Sequence, residues 1–189
     1  MGSLGYERAA ELSYEPGECI IEVGAGSSTI FLAQLGAHRT VPVYSIDVRS
    51  AAAFGLPAVH AIRGRAEDVL ANWERRPVPK FAWVDGYDWP YSFLEGTPHL
   101  AQVQREYAER GEEITEEASQ ASHFQIARAL HRLTGEGCAV AFDDTWYHPR
   151  DGWRGKAGTA IPYLYRRGWS VVDMAVGEEP DDGYVLLTR

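Results

Sequence analysis

Short apolar runs that stop at glycine or aspartate, separated by stretches with helical spacing, set the layout of the chain. Glu18 to Val23 (ECIIEV) is nearly continuous in apolar residues and stops at Gly24, the pattern of a strand buried on both faces of a parallel sheet. Val43 to Ile46 stops at Asp47, Val59 to Ile62 near Gly64, Phe81 to Val84 at Asp85, and Ala139 to Phe142 at Asp143. Between these runs the spacing predicts helices over Thr29 to Leu35, Glu67 to Trp73, Pro98 to Arg110 and Glu116 to Leu133. Thr97 and Thr115 stand as N-caps, with Pro98 at a first helical position. The Gly/Trp/Tyr-rich stretch Thr145 to Gly158 reads as a loop, followed by a helix over Thr159 to Arg167 and strands over Ser170 to Ala175 and Tyr184 to Thr188. Asp181, Asp182 and Gly183 read as part of a hairpin connection, which makes the final strand antiparallel. Strands alternating with helices predict a single α/β domain over residues 1–189, its sheet mostly parallel.

Composition changes this picture by exclusion. The 189 residues suit one domain, and 45% hydrophobic residues exclude a disordered or fibrous chain. Eighteen basic against 27 acidic residues leave a net charge of −9, which repels phosphate backbones and anionic lipid, so neither nucleic acid nor membrane is expected as a partner. No apolar run is long enough to span a bilayer, and the N-terminus lacks a secretory pattern. Met1-Gly2 begins like a myristoylation signal, but Tyr6 stands where Ser or Thr is required. Cys19 and Cys138 have no metal-ligand spacing and suggest no disulfide framework; free thiols and a cytoplasmic setting are expected.

The first strand runs into Glu22-Val23-Gly24-Ala25-Gly26-Ser27-Ser28-Thr29, a turn where glycine lets the backbone approach a ligand at the start of the next helix. A dinucleotide fingerprint wants a third glycine where Thr29 stands, which weakens a pyrophosphate reading. Asp47 lies 23 residues after Gly24, near the offset of a ribose-binding carboxylate. Gly64-Arg65-Ala66-Glu67-Asp68 opens a helix whose first turn suits an adenine edge, although acids at a helix start are common without a ligand.

Taken in order, IIEVGAGSST, YSID, GRAED, WVDGYD and AFDDTW resemble the class I S-adenosylmethionine-dependent methyltransferases, and within them the small bacterial relatives of catechol-type, metal-dependent O-methyltransferases. The resemblance implies a Rossmann-like, doubly wound, seven-stranded sheet of order 3-2-1-4-5-7-6 with strand seven antiparallel. It implies S-adenosylmethionine as cofactor, with Glu22, Gly24, Gly26 and Ser28 at the methionine moiety, Asp47 at the ribose, Ala66 and Glu67 at the adenine, and Asp85 at the methionine amino group or a metal. Because that donor is a sulfonium carrying an ammonium, an acidic pocket is expected.

In the implied order the fourth and fifth strands are neighbours, so Asp85 and Asp143 meet about 5 Å apart, and Asp144 joins them only if the chain bends off the sheet. Packed carboxylates need a cation or a retained proton. Three readings stay open: a Mg²⁺ or Mn²⁺ site held by Asp85, Asp143 and Asp144, as the resemblance implies; a metal-free site with Asp88 or His148 as base; or strand-end punctuation. The family's lysine three residues after its strand-four Asp is absent here, where Asp88 stands, and Lys156 reads as solvated. His123 reads as a half-buried packing residue, His131 and His99 as surface residues. Trp89, Tyr91, Trp146, Tyr147 and Trp153 are expected to wall a planar acceptor. Only 17 residues precede Glu18, so Tyr87 to Thr115, Thr145 to Gly158 or a second copy in a homodimer must close the pocket. The expected activity is methyl transfer to a small molecule, at a hydroxyl. Against it stand a nicotinamide-dependent oxidoreductase and a non-catalytic binding module.

Overall fold

The computed structural model describes residues 5–49, 56, 58–90, 96–176 and 183–189. A 3-10 helix, Gly5–Glu11, is followed by β1 (Glu18–Val23), α1 (Ser27–Arg39), β2 (Val43–Asp47) and β3 (Val59–Arg63). Then come α2 (Ala66–Ala71), β4 (Val78–Val84), α3 (Pro98–Glu109), α4 (Glu116–Leu133) and β5 (Ala139–Asp143). The chain ends with β6 (Thr145–His148), β7 (Gly152–Gly155), α5 (Ala160–Tyr165), β8 (Ser170–Val176) and β9 (Gly183–Thr188). Seven strands form one sheet in the order β3-β2-β1-β4-β5-β9-β8, while β6 and β7 pair separately. All neighbours from β3 to β5 are parallel, and β9 is antiparallel to both β5 and β8, as the sequence predicts. The connection at Asp181 and Asp182 lies outside the described residues.

The central strands are buried on both faces, which explains their lack of polar alternation. Ile21, Val23, Ala82, Val84, Val140 and Phe142 pack against α2, α4 and α5, while Ile20, Phe81, Trp83 and Ala141 face α1 and the 3-10 helix. That N-terminal helix brings Tyr6 edge-on to Trp83 at 5.5 Å. The caps are as read: Thr97 Oγ1 accepts from the Leu100 amide at 3.2 Å, and Thr115 Oγ1 from that of Ala118 at 3.0 Å.

Two boundaries differ for physical reasons. Helix α1 continues through Gly36 to Arg39, because Gly36 is a packing position, where a Cβ would lie 2.5 Å from the Val43 side chain, and the helix stops only at Thr40 in a left-handed conformation. The stretch Thr145 to Gly158 is no irregular loop: Thr145–His148 and Gly152–Gly155 form a hairpin with Trp146 opposite Arg154 and Tyr147 opposite Trp153. Among the described residues no helix is long and apolar enough to cross a membrane. Cys19 and Cys138 are free and buried.

Candidate functional site

The carboxyl ends of β1 to β4 open into a pocket lined by Gly24, Asp47, Ala66, Glu67, Gly86 and Tyr87 among others. Open α/β sheets bind ligands at this edge. Gly24 sits at φ +86°, and a Cβ there would lie 2.0 Å from the Asp85 carbonyl oxygen, so only glycine lets the turn after β1 pass the turn after β4. The turn's amides are engaged within the protein. Gly24 N donates to Ile46 O at 2.9 Å, Ala25 N to Asp47 Oδ2 at 3.0 Å, and Gly26 N to Thr29 Oγ1 at 3.0 Å. Thr29, at the position of a dinucleotide fold's third glycine, thereby takes a donor that a pyrophosphate would need.

Glu22 lies beneath this turn, fully buried, and accepts from the hydroxyls of Ser28 (2.6 Å), Thr29 (2.8 Å) and Ser45 (2.6 Å). Burial pushes its carboxyl above the usual range, and the three hydroxyls pull it back. Glu22 and Ser28 thus brace the turn from below, and Thr29 and Ser45, which the sequence did not single out, complete the brace. Asp47 is buried at the pocket and also accepts from the Arg49 amide.

The expected acidic pocket is charge-balanced instead. Arg49, Arg65 and Arg110 line it beside Asp47, Glu67 and Glu112. Arg49 reaches Glu106 at 3.4 Å, Arg110 reaches Glu112 at 3.1 Å, and Arg65 pairs with Glu112. These pairs tie α3 and its downstream turn across the pocket mouth. Tyr87 and Tyr107 meet edge-on at 4.7 Å beneath them, and Tyr107 Oη accepts from the Asp88 amide at 2.8 Å.

Beyond the pocket, β4 and β5 pair with Val84 opposite Phe142, which brings Asp85 and Asp143 together. Asp144 adopts φ +48°, the bend needed to turn its side chain toward them. One ligand atom from each of Asp85, Asp143 and Asp144 lies within 4.8 Å of the others. Loss of water contact pushes the Asp143 carboxyl up to about 8, with Asp85 and Asp144 repelling its charge. Asp85 is raised for the same first reason and held down in part by Lys156.

Lys156 is the main correction to the sequence reading. It is 3% exposed, with Nζ 2.7 Å from Asp85 Oδ1 and 2.7 Å from Asp144 Oδ2. The hairpin delivers it: Lys156 N donates to Asp144 O at 2.9 Å, and Gly155 sits at φ +80° with its Cβ position 2.0 Å from that same oxygen. Alternation in TWYH and GWRG around Pro149-Arg150-Asp151 was the available signal. Three carboxylates this close suit a divalent ion's oxygen shell. As folded, two of them already pair with an ammonium, which a metal ion would have to displace.

A second, open cavity is lined by Trp89, Pro90, Glu116, Trp146, His148, Asp151 and Arg154. The Trp89 and Trp146 rings meet edge-on at 6.1 Å. His148 Nδ1 lies 2.9 Å from Asp151 Oδ2. Asp88 stands outside the acidic triad. His123 is fully buried rather than half-buried, with Nδ1 donating to Ser119 O at 2.8 Å and Nε2 unpartnered. His131 accepts from Trp169 Nε1 at 3.1 Å, a bonded position rather than bare surface. Tyr91 and the side chain of His99 lie outside the described residues. Both segments expected to close the site contribute to the two cavities: Tyr87, Tyr107 and Glu112 line the first, and Trp89, Trp146 and Arg154 the second.

No protein-family model matches the chain, and no curated protein is similar to it in sequence. Solved structures are similar in fold. Fibrillarin of Aeropyrum pernix, with natively bound S-adenosylmethionine, superposes with a TM-score of 0.59 at 10% identity, covering 97% of this chain and 76% of that one. An rRNA methylase of Streptococcus thermophilus gives 0.53 at 15% identity, covering 97% and 93%. An O-methyltransferase of Bacillus cereus in complex with S-adenosylhomocysteine gives 0.52 at 15%, covering 90% and 73%. With its 3-2-1-4-5-7-6 sheet and reversed final strand, the chain has the class I S-adenosylmethionine-dependent methyltransferase fold.

Proposed function

We propose that this protein transfers a methyl group from S-adenosylmethionine to a hydroxyl of a small, planar acceptor. The observation that carries the reading is the turn after β1. Its amides are engaged by Ile46, Asp47 and Thr29, which leaves a pyrophosphate poorly served, while Asp47 and Glu67 line the adjoining pocket, as a nucleoside site requires. Asp47 would hold the ribose hydroxyls, the first turn of α2 at Ala66 and Glu67 the adenine, and Gly24 and Gly26 the backbone path along the methionine moiety. The cofactor supplies an electrophilic methyl on a sulfonium, whose sulfur keeps the bonding electron pair when the acceptor oxygen attacks.

The chain's own work is orientation and proton removal. Trp89 and Trp146 would wall a ring in the second cavity. His148, with Nδ1–H donated to Asp151, keeps Nε2 to take the hydroxyl proton. Asp88, the other base considered, has its backbone amide fixed by Tyr107 and does not line that cavity. The net charge of −9 favours a metabolite over RNA. Incubation with methyl-labelled S-adenosylmethionine and parallel panels of phenols, aliphatic alcohols, amines and ribosomal RNA decides the acceptor. Label in the phenol panel is expected, lost with His148→Gln; label in RNA alone contradicts the acceptor half of the proposal.

A further inference from the structure

We propose that the ammonium of Lys156 is the resident cation of the Asp85, Asp143 and Asp144 cluster, held where a divalent ion would sit, so that the site works without a bound metal. The inference deepens the methyl-transfer reading and rests on it for the reaction, while the ion pairs stand without it.

Carboxylates within 4.8 Å of one another repel, and they persist together only beside a positive charge or with protons retained. Lys156 supplies that charge. A lysine that is 3% exposed is tolerated only when paired, and this one pairs with two carboxylates of the cluster at 2.7 Å. Its approach is built into the backbone. The hairpin closes on Asp144 through the Lys156 amide, and the close passage of Gly155 against the Asp144 carbonyl admits no side chain at that position. A flexible surface lysine would show none of these constraints.

The competing cations can be compared directly. His123 is buried close enough to feel both Lys156 and Asp144, but burial holds it neutral. A Mg²⁺ ion needs oxygens at about 2.0 to 2.1 Å in a near-octahedral shell. Two of the three carboxylates on offer already bond an ammonium, so a metal ion would bind only by displacing Lys156 from them. The charge that a metal supplies beside an acceptor oxygen is, on this geometry, supplied by a side chain fixed on the β6–β7 hairpin.

Manganese binding read by electron paramagnetic resonance tests this on the full chain. The wild type is expected to leave the free Mn²⁺ signal undiminished at equimolar ion, and its melting temperature is expected to be the same in EDTA and in Mg²⁺. Lys156→Ala, with three carboxylates and no ammonium, is expected to take up one Mn²⁺ at least tenfold more tightly than the wild type. Lys156→Arg is expected to restore the wild-type result, which a merely structural lysine does not predict. One Mn²⁺ bound per wild-type chain and lost in Asp144→Asn would overturn the proposal, as would a folded Lys156→Ala protein that gains no Mn²⁺. If Lys156→Ala does not fold, the wild-type titration decides alone. Calorimetry with S-adenosylhomocysteine on the same metal-free wild type keeps the two readings apart: absent heat defeats the methyl-transfer reading, and the manganese result still decides Lys156.

Discussion

At the scale of single residues, burial has turned several polar side chains into parts of the frame. His123 is the clearest case. It is fully buried with Nδ1–H on Ser119 O, and loss of water lowers its pKa to about 3, with the charge of Lys156 acting in the same direction. Between pH 6.5 and 3 the unfolded chain binds a proton at this position that the folded chain refuses, so its contribution to stability falls as pH falls. Denaturant midpoints measured at pH 7 and pH 5 are expected to drop more steeply for wild type than for His123→Asn, with a difference in slope of up to about 1.4 kcal/mol per pH unit. Equal slopes would place a proton on His123 in the folded state. Asp143 has the opposite sign: its raised carboxyl stabilises the fold at low pH, an effect lost as pH rises through about 8.

Elements carry the next level of the account, because loops placed by the sheet do the closing. Helix α3 and the turn after it are held over the first pocket by Arg49–Glu106, Arg65–Glu112 and Arg110–Glu112. Exposed ion pairs contribute at most about 1 kcal/mol, so Glu112→Gln is expected to speed S-adenosylhomocysteine release about two- to fivefold with little change in melting temperature. Stopped-flow dissociation checks this, and an unchanged rate would remove the latch. The same level shows what the sequence makes legible. Strands β1 to β5 are readable because continuous apolar runs stop at Gly24, Asp47, Gly64, Asp85 and Asp143, and the α3 and α4 starts because Thr97 and Thr115 are caps. Lys156 was not readable by such signs. Its burial depends on a hairpin whose strands are four residues each and on the left-handed bend at Asp144, which no local propensity announces. The enclosure of Glu22 was likewise not legible, since an acid at a strand end gives no hint that three hydroxyls from α1 and β2 will meet it.

For the whole molecule, the carboxyl edge of one sheet carries the first cavity and the acidic cluster, and the β6–β7 hairpin that follows β5 lines the second cavity. The first is lined by Asp47 and Glu67 and the second by Trp89 and Trp146, which suits a nucleoside-bearing donor in the one and a ring-containing acceptor in the other. The central claim is that the first cavity takes an adenosyl ligand without a pyrophosphate, because the amides after β1 are already bonded within the chain. Isothermal titration calorimetry with S-adenosylhomocysteine and with NAD tests it most directly. The account predicts one site for S-adenosylhomocysteine, weakened at least about tenfold in Asp47→Ala, or about 1.4 kcal/mol, and no heat with NAD. Tight NAD binding with none for S-adenosylhomocysteine would contradict it.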